Sequence, residues 1–239
     1  MNNQKFCFII CLSNELLFEE SMHYIDHLNI PEGYSTELLT ISDASSIAEA
    51  YNDAMAATDA KYKIYLHQDV MLLNRDILSD LLQIFSSDPQ IGLIGMIGYE
   101  RISRDGVMWN QRPIGNVFHK SQPSYPVLSD YHYSLSSDGL LFAAEIDGFF
   151  MATSYDLPWN TELLKGWDFY DAFQSITFLE HGYKIAVPAQ RHPWCLHDAG
   201  KLPDLSNYDR YRHLFMETYS QYLGRHWSEI YTRRSRNEQ

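Results

Sequence analysis

Apolar residues run almost unbroken from Phe6 to Leu12, and Ser13 and Asn14 then interrupt them. A strand buried on both faces reads this way, and the two polar residues can cap a following helix. That helix is predicted from about Glu15 to Leu28, because Leu16, Leu17, Met22, Ile25 and Leu28 fall near helical spacing. After a turn at Pro31 to Gly33, Thr36 to Ile41 predicts a second strand ending at Ser42 and Asp43. Ser46 and Glu49 match a capping box that opens an alanine-rich helix to about Thr58. The stretch Lys61 to Val70 predicts a third, interior strand with an abrupt polar tip of His67, Gln68 and Asp69. Asp76 is placed to cap a helix over Ile77 to Phe85. Asp88-Pro89 breaks that helix before a strand over Ile91 to Ile97. Strands and helices alternating at such short intervals predict a doubly wound, mostly parallel sheet of the nucleotide-binding type.

The pattern changes between residues 99 and 138, which are rich in Gly, Pro, Ser, Asn, Tyr and Asp and show no sustained period. A stretch this long inside a compact domain reads as a binding loop or lid. Its aromatics Trp109, Phe118, Tyr125, Tyr131 and Tyr133 predict at least partial packing. Strand character resumes over Leu140 to Thr153, around Ile146-Asp147-Gly148. A helix is predicted over Phe169 to His181, ended by Gly182, followed by a short strand over Ile185 to Val187. Pro193 to Gly200 reads as a loop carrying His197 and Asp198, and Tyr208 to Tyr231 as one terminal helix.

At 239 residues and 45% apolar content the chain can bury a sizeable core. A net charge of -13 argues against a nucleic-acid partner. It leaves room for a nucleotide ligand, since a divalent metal supplies positive charge locally. Three cysteines form neither an even framework nor a CxxC pair, as expected of buried thiols in a reducing compartment. The apolar start FCFIICL lacks a cleavage site, and no run approaches the roughly 20 residues of a membrane span, so a cytoplasmic protein is expected.

Candidate chemistry begins at Asp69. Ligands bind outside the carboxyl ends of strands in open α/β sheets. A carboxylate flanked by a histidine and an amide can hold a metal that holds a phosphate, or it can cap a turn.

Five places in order resemble the family 2 glycosyltransferases of GT-A fold, in particular the branch named for a streptomycin-biosynthesis protein. They are the CLSN end of the first strand, ISDAS with the AEAYNDA helix, YLHQDV, EIDGFFMAT, and GWDFYDAFQSITFLEHGYKIAVP with a later histidine. The resemblance implies a GT-A, Rossmann-like α/β fold over residues 1–200. Residues 1–98 form its nucleotide-binding half and 99–200 its acceptor half, with the irregular insertion at 99–138. A C-terminal helical extension follows over 201–239. It implies transfer of a sugar from a nucleotide-diphosphate sugar to a hydroxyl of a saccharide or other acceptor, with inversion, and a place in bacterial polysaccharide or glycoconjugate biosynthesis. A homodimer is compatible with it.

The implied roles attach to particular residues. Ser13, Asn14, Asp43, Asn52, Gln68 and Asp69 would contact the nucleotide sugar, although Asp43 also suits a helix cap. Asp69 and His197 would hold Mn²⁺ or Mg²⁺, with His192 the alternative histidine. The triplet departs from a full DxD because His67 takes its first position. Asp171 would be the catalytic base, with Asp168 second; its alternative is a solvated residue in a helix's first turn. Phe173 stands where relatives carry a further acidic residue. Asp147, Trp167 and Asp168 would line the acceptor side. Trp159 and Trp167 can stack on sugars or pack in the core. The rival expectations are a non-catalytic nucleotide-sugar or carbohydrate-binding protein on the same fold, and a metal-dependent phosphohydrolase.

Overall fold

The computed structural model describes residues 1–120, 129–130, 139–199 and 206–235. Tyr125, Tyr131 and Tyr133, and with them much of the expected lid, lie outside the described residues.

The first half follows the hydrophobic pattern closely. β1 (Asn2–Cys11), α1 (Glu15–Ile25), β2 (Ser35–Ile41), α2 (Ile47–Ala57) and β3 (Ala60–His67) alternate as expected. β1 pairs in parallel with β2 on one side and β3 on the other. Phe6 to Ile10 and Ile64 to Leu66 are fully buried at the sheet centre. α2 presses Ala48, Ala50 and Ala54 onto the sheet, and these small side chains let the helix approach closely.

The third strand is shorter than the apolar pattern suggests. It stops at His67, and Val70 leaves the main sheet as β4 (Val70–Leu72), so Gln68 and Asp69 form a turn between two sheets. α3 (Ile77–Ser87) follows, but Asp76 does not cap it. The Asp76 carboxylate instead accepts a 2.8 Å hydrogen bond from the Asn29 amide, which ties the α1–β2 connection to this helix. The next expected strand is split at Met96 into β5 (Ile91–Gly95) and β6 (Ile97–Tyr99), which belong to different sheets.

The second half departs more. Residues 99–120 hold a short 3₁₀ turn at Met108–Asn110 and the strands β7 (Ile114–Gly115) and β8 (Phe118–Lys120), and β8 pairs with β9 (Ser129–Asp130). The expected single strand after residue 140 is three: β10 (Leu140–Ala143), β11 (Glu145–Ile146) and β12 (Phe150–Thr153). α4 (Tyr170–Glu180) and β13 (Lys184–Pro188) follow, with Gly182 at φ +76° closing the helix as expected.

The main sheet has the order β10-β13-β5-β12-β3-β1-β2. It is a mixed sheet: β12 runs antiparallel between β3 and β5, and β10 runs antiparallel at the edge. His197 lies on a strand, not in a loop, because β14 (Cys195–Asp198) pairs with both β4 and β8. The terminal helix is also two, α5 (Tyr208–Thr218) and α6 (Trp227–Ser235), separated by a bend in which Gly224 takes φ +75°. Among the described residues no helix is long and apolar enough to cross a membrane.

Candidate active site

The carboxyl ends of β1 and β3 meet at Gln68. Its side-chain oxygen accepts from the backbone N–H groups of both Ser13 and Asn14 at 2.7 Å, and its amide donates to the Ser13 hydroxyl at 2.8 Å. Gln68 is therefore a clamp between two strand ends. Asn14 caps α1, its side-chain oxygen accepting from the N–H groups of Leu16 and Leu17. Asn52 spends both polar atoms on the backbone of Trp159, donating to its carbonyl and accepting from its N–H, each at 2.9 Å. Trp159 itself is buried against Tyr51 and Tyr65, so it packs in the core. Asp43 is exposed after β2 and lines none of the clefts described below. A cleft of about 240 Å³ opens here, lined by Cys11, Ser13, Tyr51, His67, Asp69 and Trp167 among others. The Tyr51 hydroxyl is buried in it without a hydrogen-bond partner.

Asp69 stands at the inner edge of this cleft. Its Oδ1 is buried with no hydrogen-bond partner, an expensive state for a carboxylate oxygen. His197 Nε2 is 3.5 Å away and His67 Nδ1 3.9 Å away. One ligand atom from each of His67, Asp69 and His197 lies within 4.8 Å of the others. Two imidazoles and a carboxylate converging on an unsatisfied oxygen are a donor set that fits a divalent cation. The departure at His67 thus brings a third donor to the cluster that sequence reasoning expected to hold only Asp69 and His197. His192 is exposed and lies outside that cluster.

The other nitrogen of His67 is held from behind. Nε2 lies 2.5 Å from the Tyr170 hydroxyl, so donation by Nε2–H to that oxygen leaves the Nδ1 lone pair facing Asp69. Burial, then the neighbouring His197, pushes the His67 pKa down and keeps the ring neutral. Tyr170 reaches this position only because residue 148 is glycine: a Cβ there would lie 2.2 Å from the tyrosine oxygen. His197 is fixed by stacking on Phe149 at 5.0 Å and an interplanar angle of 21°.

Asp171 lies in the first turn of α4. Its two oxygens accept from the N–H groups of Gly148 at 3.0 Å and Ala172 at 2.8 Å. Burial foremost, then the charge of Asp147, raises its pKa to about 7. The preceding residue, Phe169, has φ +65°, a left-handed conformation that costs a bulky side chain energy. Its ring is held between Tyr208 and Phe215 of α5, and that packing keeps the turn in place. Phe173, where an acidic residue was expected, is buried against Phe215 and Tyr219.

Asp147 lines two further clefts. One, of about 480 Å³, also includes Trp109, Gln111, His119 and His197. The other, of about 230 Å³, brings in Trp167, Asp168 and Asp171. The structure therefore gathers Gln68, Asp69, His197, Asp147, Trp167, Asp168 and Asp171 around one rim with Ser13, and leaves Asn14, Asp43 and Asn52 outside the cleft linings. Tyr170, Gly148 and Trp109 were missed. Nothing local in the sequence marks the first two, while Trp109 sat in the irregular stretch already flagged for its aromatics.

The family model described as "Glycosyltransferase like family" matches residues 7–219. No curated protein matches the sequence. Similar solved structures include GalNAc-T7 with UDP, GalNAc and Mn²⁺, which is 10% identical with a TM-score of 0.54, over 90% of this chain and 48% of that one. S. aureus TarS is 9% identical with a TM-score of 0.53, over 89% of this chain and 39% of that one. S. aureus TarS 1-349 in complex with UDP is 10% identical with a TM-score of 0.51, over 89% of this chain and 64% of that one. At such identities the likeness shows the fold, a GT-A α/β architecture. The chain spans less than two thirds of the length of each of these structures.

Proposed function

The chain belongs to the glycosyltransferase-like family, and from that premise we propose that it transfers a hexose from a nucleotide-diphosphate sugar to an acceptor hydroxyl, with inversion. The observation that carries the proposal is the buried Asp69 oxygen that lacks a hydrogen bond and faces His67 and His197, on the same rim as Asp171. The GalNAc-T7 structure contains UDP, GalNAc and Mn²⁺, and the TarS 1-349 structure contains UDP, which supports a nucleotide and a divalent metal as ligands. His67, Asp69 and His197 would hold Mn²⁺ or Mg²⁺. Bound there, the metal would supply positive charge to the diphosphate.

The remaining work falls to the chain's own residues. Asp171 takes the proton from the acceptor hydroxyl as its oxygen bonds to the anomeric carbon. The bond from that carbon to the diphosphate oxygen breaks on the opposite face, and the nucleoside diphosphate leaves with the electron pair. One displacement needs one base, so the loss of an acidic residue at Phe173 leaves the scheme intact. A pKa near 7 suits that base, because it accepts a proton readily while a substantial fraction is ionised at neutral pH. The Gly148 and Ala172 N–H groups orient the carboxylate without filling its remaining lone pairs.

The test is a panel of nucleoside diphosphates titrated with and without Mn²⁺, followed by donor-sugar consumption in the parent and Asp171→Asn. Metal-dependent binding in both, with turnover only in the parent, is the expected result. Binding without turnover in either would instead point to a non-catalytic nucleotide-sugar-binding protein, and absence of nucleotide binding would sink both readings.

A further inference from the structure

Among the described residues, the exposed large apolar side chains include two tryptophans, Trp109 at 54% and Trp167 at 51%. They come from distant segments and line the same cleft, the one in front of Asp171. An exposed indole is an uncommon use of a large apolar surface, and two at one cleft mark a binding wall.

Neither ring sits on a slack loop. Trp109 belongs to the short 3₁₀ turn, and the Asp105 carboxylate braces that turn by accepting from Val107 N–H at 3.1 Å and from the Asn110 amide at 2.9 Å. Arg212 of α5 donates to the Asp105 carbonyl at 2.9 Å, and the indole lies 5.0 Å from the Tyr208 ring at 35°. On the other side, Gly166 anchors the residue before Trp167. Its carbonyl accepts from Ile47 N–H at 3.1 Å, and its Cα lies so close to Tyr211 that a Cβ would sit 2.8 Å from the phenol oxygen. Rigid aromatic faces beside hydrogen-bonding groups suit a pyranose, which has an apolar face and a polar rim.

The charge of the wall narrows the class further. Asp147, Asp168 and Asp171 line the cleft, and no described lysine or arginine does. A carboxylate or phosphate on the incoming molecule would face these three carboxylates, with no lysine or arginine in the described lining to pair with it.

We propose that this cleft takes an acceptor saccharide without anionic groups, stacked on Trp109 and Trp167, and turns away uronic-acid and phosphate-bearing acceptors. The proposal rests on the glycosyltransferase reading above and names its second substrate. It is tested on the full chain with UDP and Mn²⁺ present, by saturation-transfer NMR and tryptophan fluorescence. The probes are cellobiose, lactose and chitobiose, each against a counterpart carrying a uronic acid.

At least one uncharged disaccharide is expected to bind about tenfold or more tightly than its uronic-acid partner. Trp109→Ala and Trp167→Ala should each weaken that binding by roughly tenfold. Trp109→Phe, which keeps a ring, should recover most of it, and Asp168→Lys should narrow the preference against the acid. Equal or tighter uronate binding, indifference to both tryptophans, or no bound disaccharide would overturn the proposal. Failure of the glycosyltransferase reading shows differently: no nucleoside diphosphate of the panel would bind and no donor would be consumed, while sugar binding at the tryptophans persisted.

Discussion

Two stretches of the same rim use polar side chains in opposite ways. At the ends of β1 and β3, Gln68 and Asn14 satisfy backbone N–H groups and the Ser13 hydroxyl, and behind them on α2, outside the cleft linings, Asn52 satisfies the backbone of Trp159. Across the rim, Asp69 keeps a buried oxygen without a hydrogen bond, facing His67 and His197, and burial raises the Asp171 pKa to about 7; away from the cleft linings, burial raises that of Glu145 to about 8. The first stretch is a frame and the second stores unmet electrostatic demand. Chemistry belongs with the second, because unsatisfied buried groups are costly and persist where something else answers them.

Asp171→Asn should break this contrast most visibly. Transfer is expected to fall by roughly 10²–10⁴-fold while nucleotide affinity stays unchanged. In the parent, activity should climb as pH rises through about 7, since the base works only when ionised and its pKa is raised to that value by burial and Asp147. A rate that is flat from pH 5 to 8 would remove Asp171 from the role.

Tyr170→Phe removes the partner of His67 without touching a metal donor. A loss of about 10–100-fold in Mn²⁺ affinity is expected from a change one shell out. Calorimetric titration of Mn²⁺ reads it directly, and an unchanged affinity would make the Tyr170–His67 contact merely structural.

Glu145 sharpens the same contrast through stability. Its Oε1 accepts from Ser103 N–H at 3.2 Å and from the Gln111 amide at 3.0 Å, and burial raises its pKa to about 8. The folded state binds its proton more tightly than the unfolded chain. Its stabilising contribution is therefore complete below the unfolded value near 4.5 and is lost as pH climbs through about 8. Glu145→Gln keeps the acceptor oxygen and cannot ionise. It should melt higher than the parent above pH 8, with no such gain at pH 5. Each kcal/mol recovered is worth on the order of 2–4 °C in a domain of this size.

The smallest effects are expected in the frame. Gln68→Ala should cost about 1–2 kcal/mol by denaturant unfolding, as a few partly exposed hydrogen bonds do, and shift nucleotide affinity little. Loss of nucleotide binding at unchanged stability would move Gln68 from frame to ligand.

The contrast also explains what the sequence revealed. Period located β1 to α3, with Asn14 and Ser46 capping α1 and α2 and Asp76 failing to cap α3, because those elements are built from local pattern and bury predictable faces. The break after His67 was less legible, since Val70 to Leu72 are as apolar as the strand they leave. β12 gave no sign of its antiparallel insertion, which depends on pairing with strands far away in sequence. At the site, Asp69, His197 and Asp171 were named for their place in motifs, and the structure brings them to one rim. Gln68 and Asn52 were chosen for the same reason, yet their partners are backbone groups and the Ser13 hydroxyl, contacts that no motif displays. Tyr170 and Gly148 stayed hidden because their meaning is mutual: one is absent bulk and the other fills it.

The insertion of β12 between β3 and β5 has a kinetic consequence. Phe150 must register opposite Leu66, and Met151 opposite Gly95, before Asp147 and Gly148 can reach the rim. Closing so long a loop is entropically slow compared with zipping β1 to its parallel neighbours. The nucleotide side is accordingly expected to gain protection first in pulse-labelling hydrogen exchange, and amides around Gly148 and Asp171 last. Simultaneous protection of both would show that the sheet condenses as one nucleus. With the expected order, the acceptor side of the rim stays incomplete until the last central strand has been threaded home.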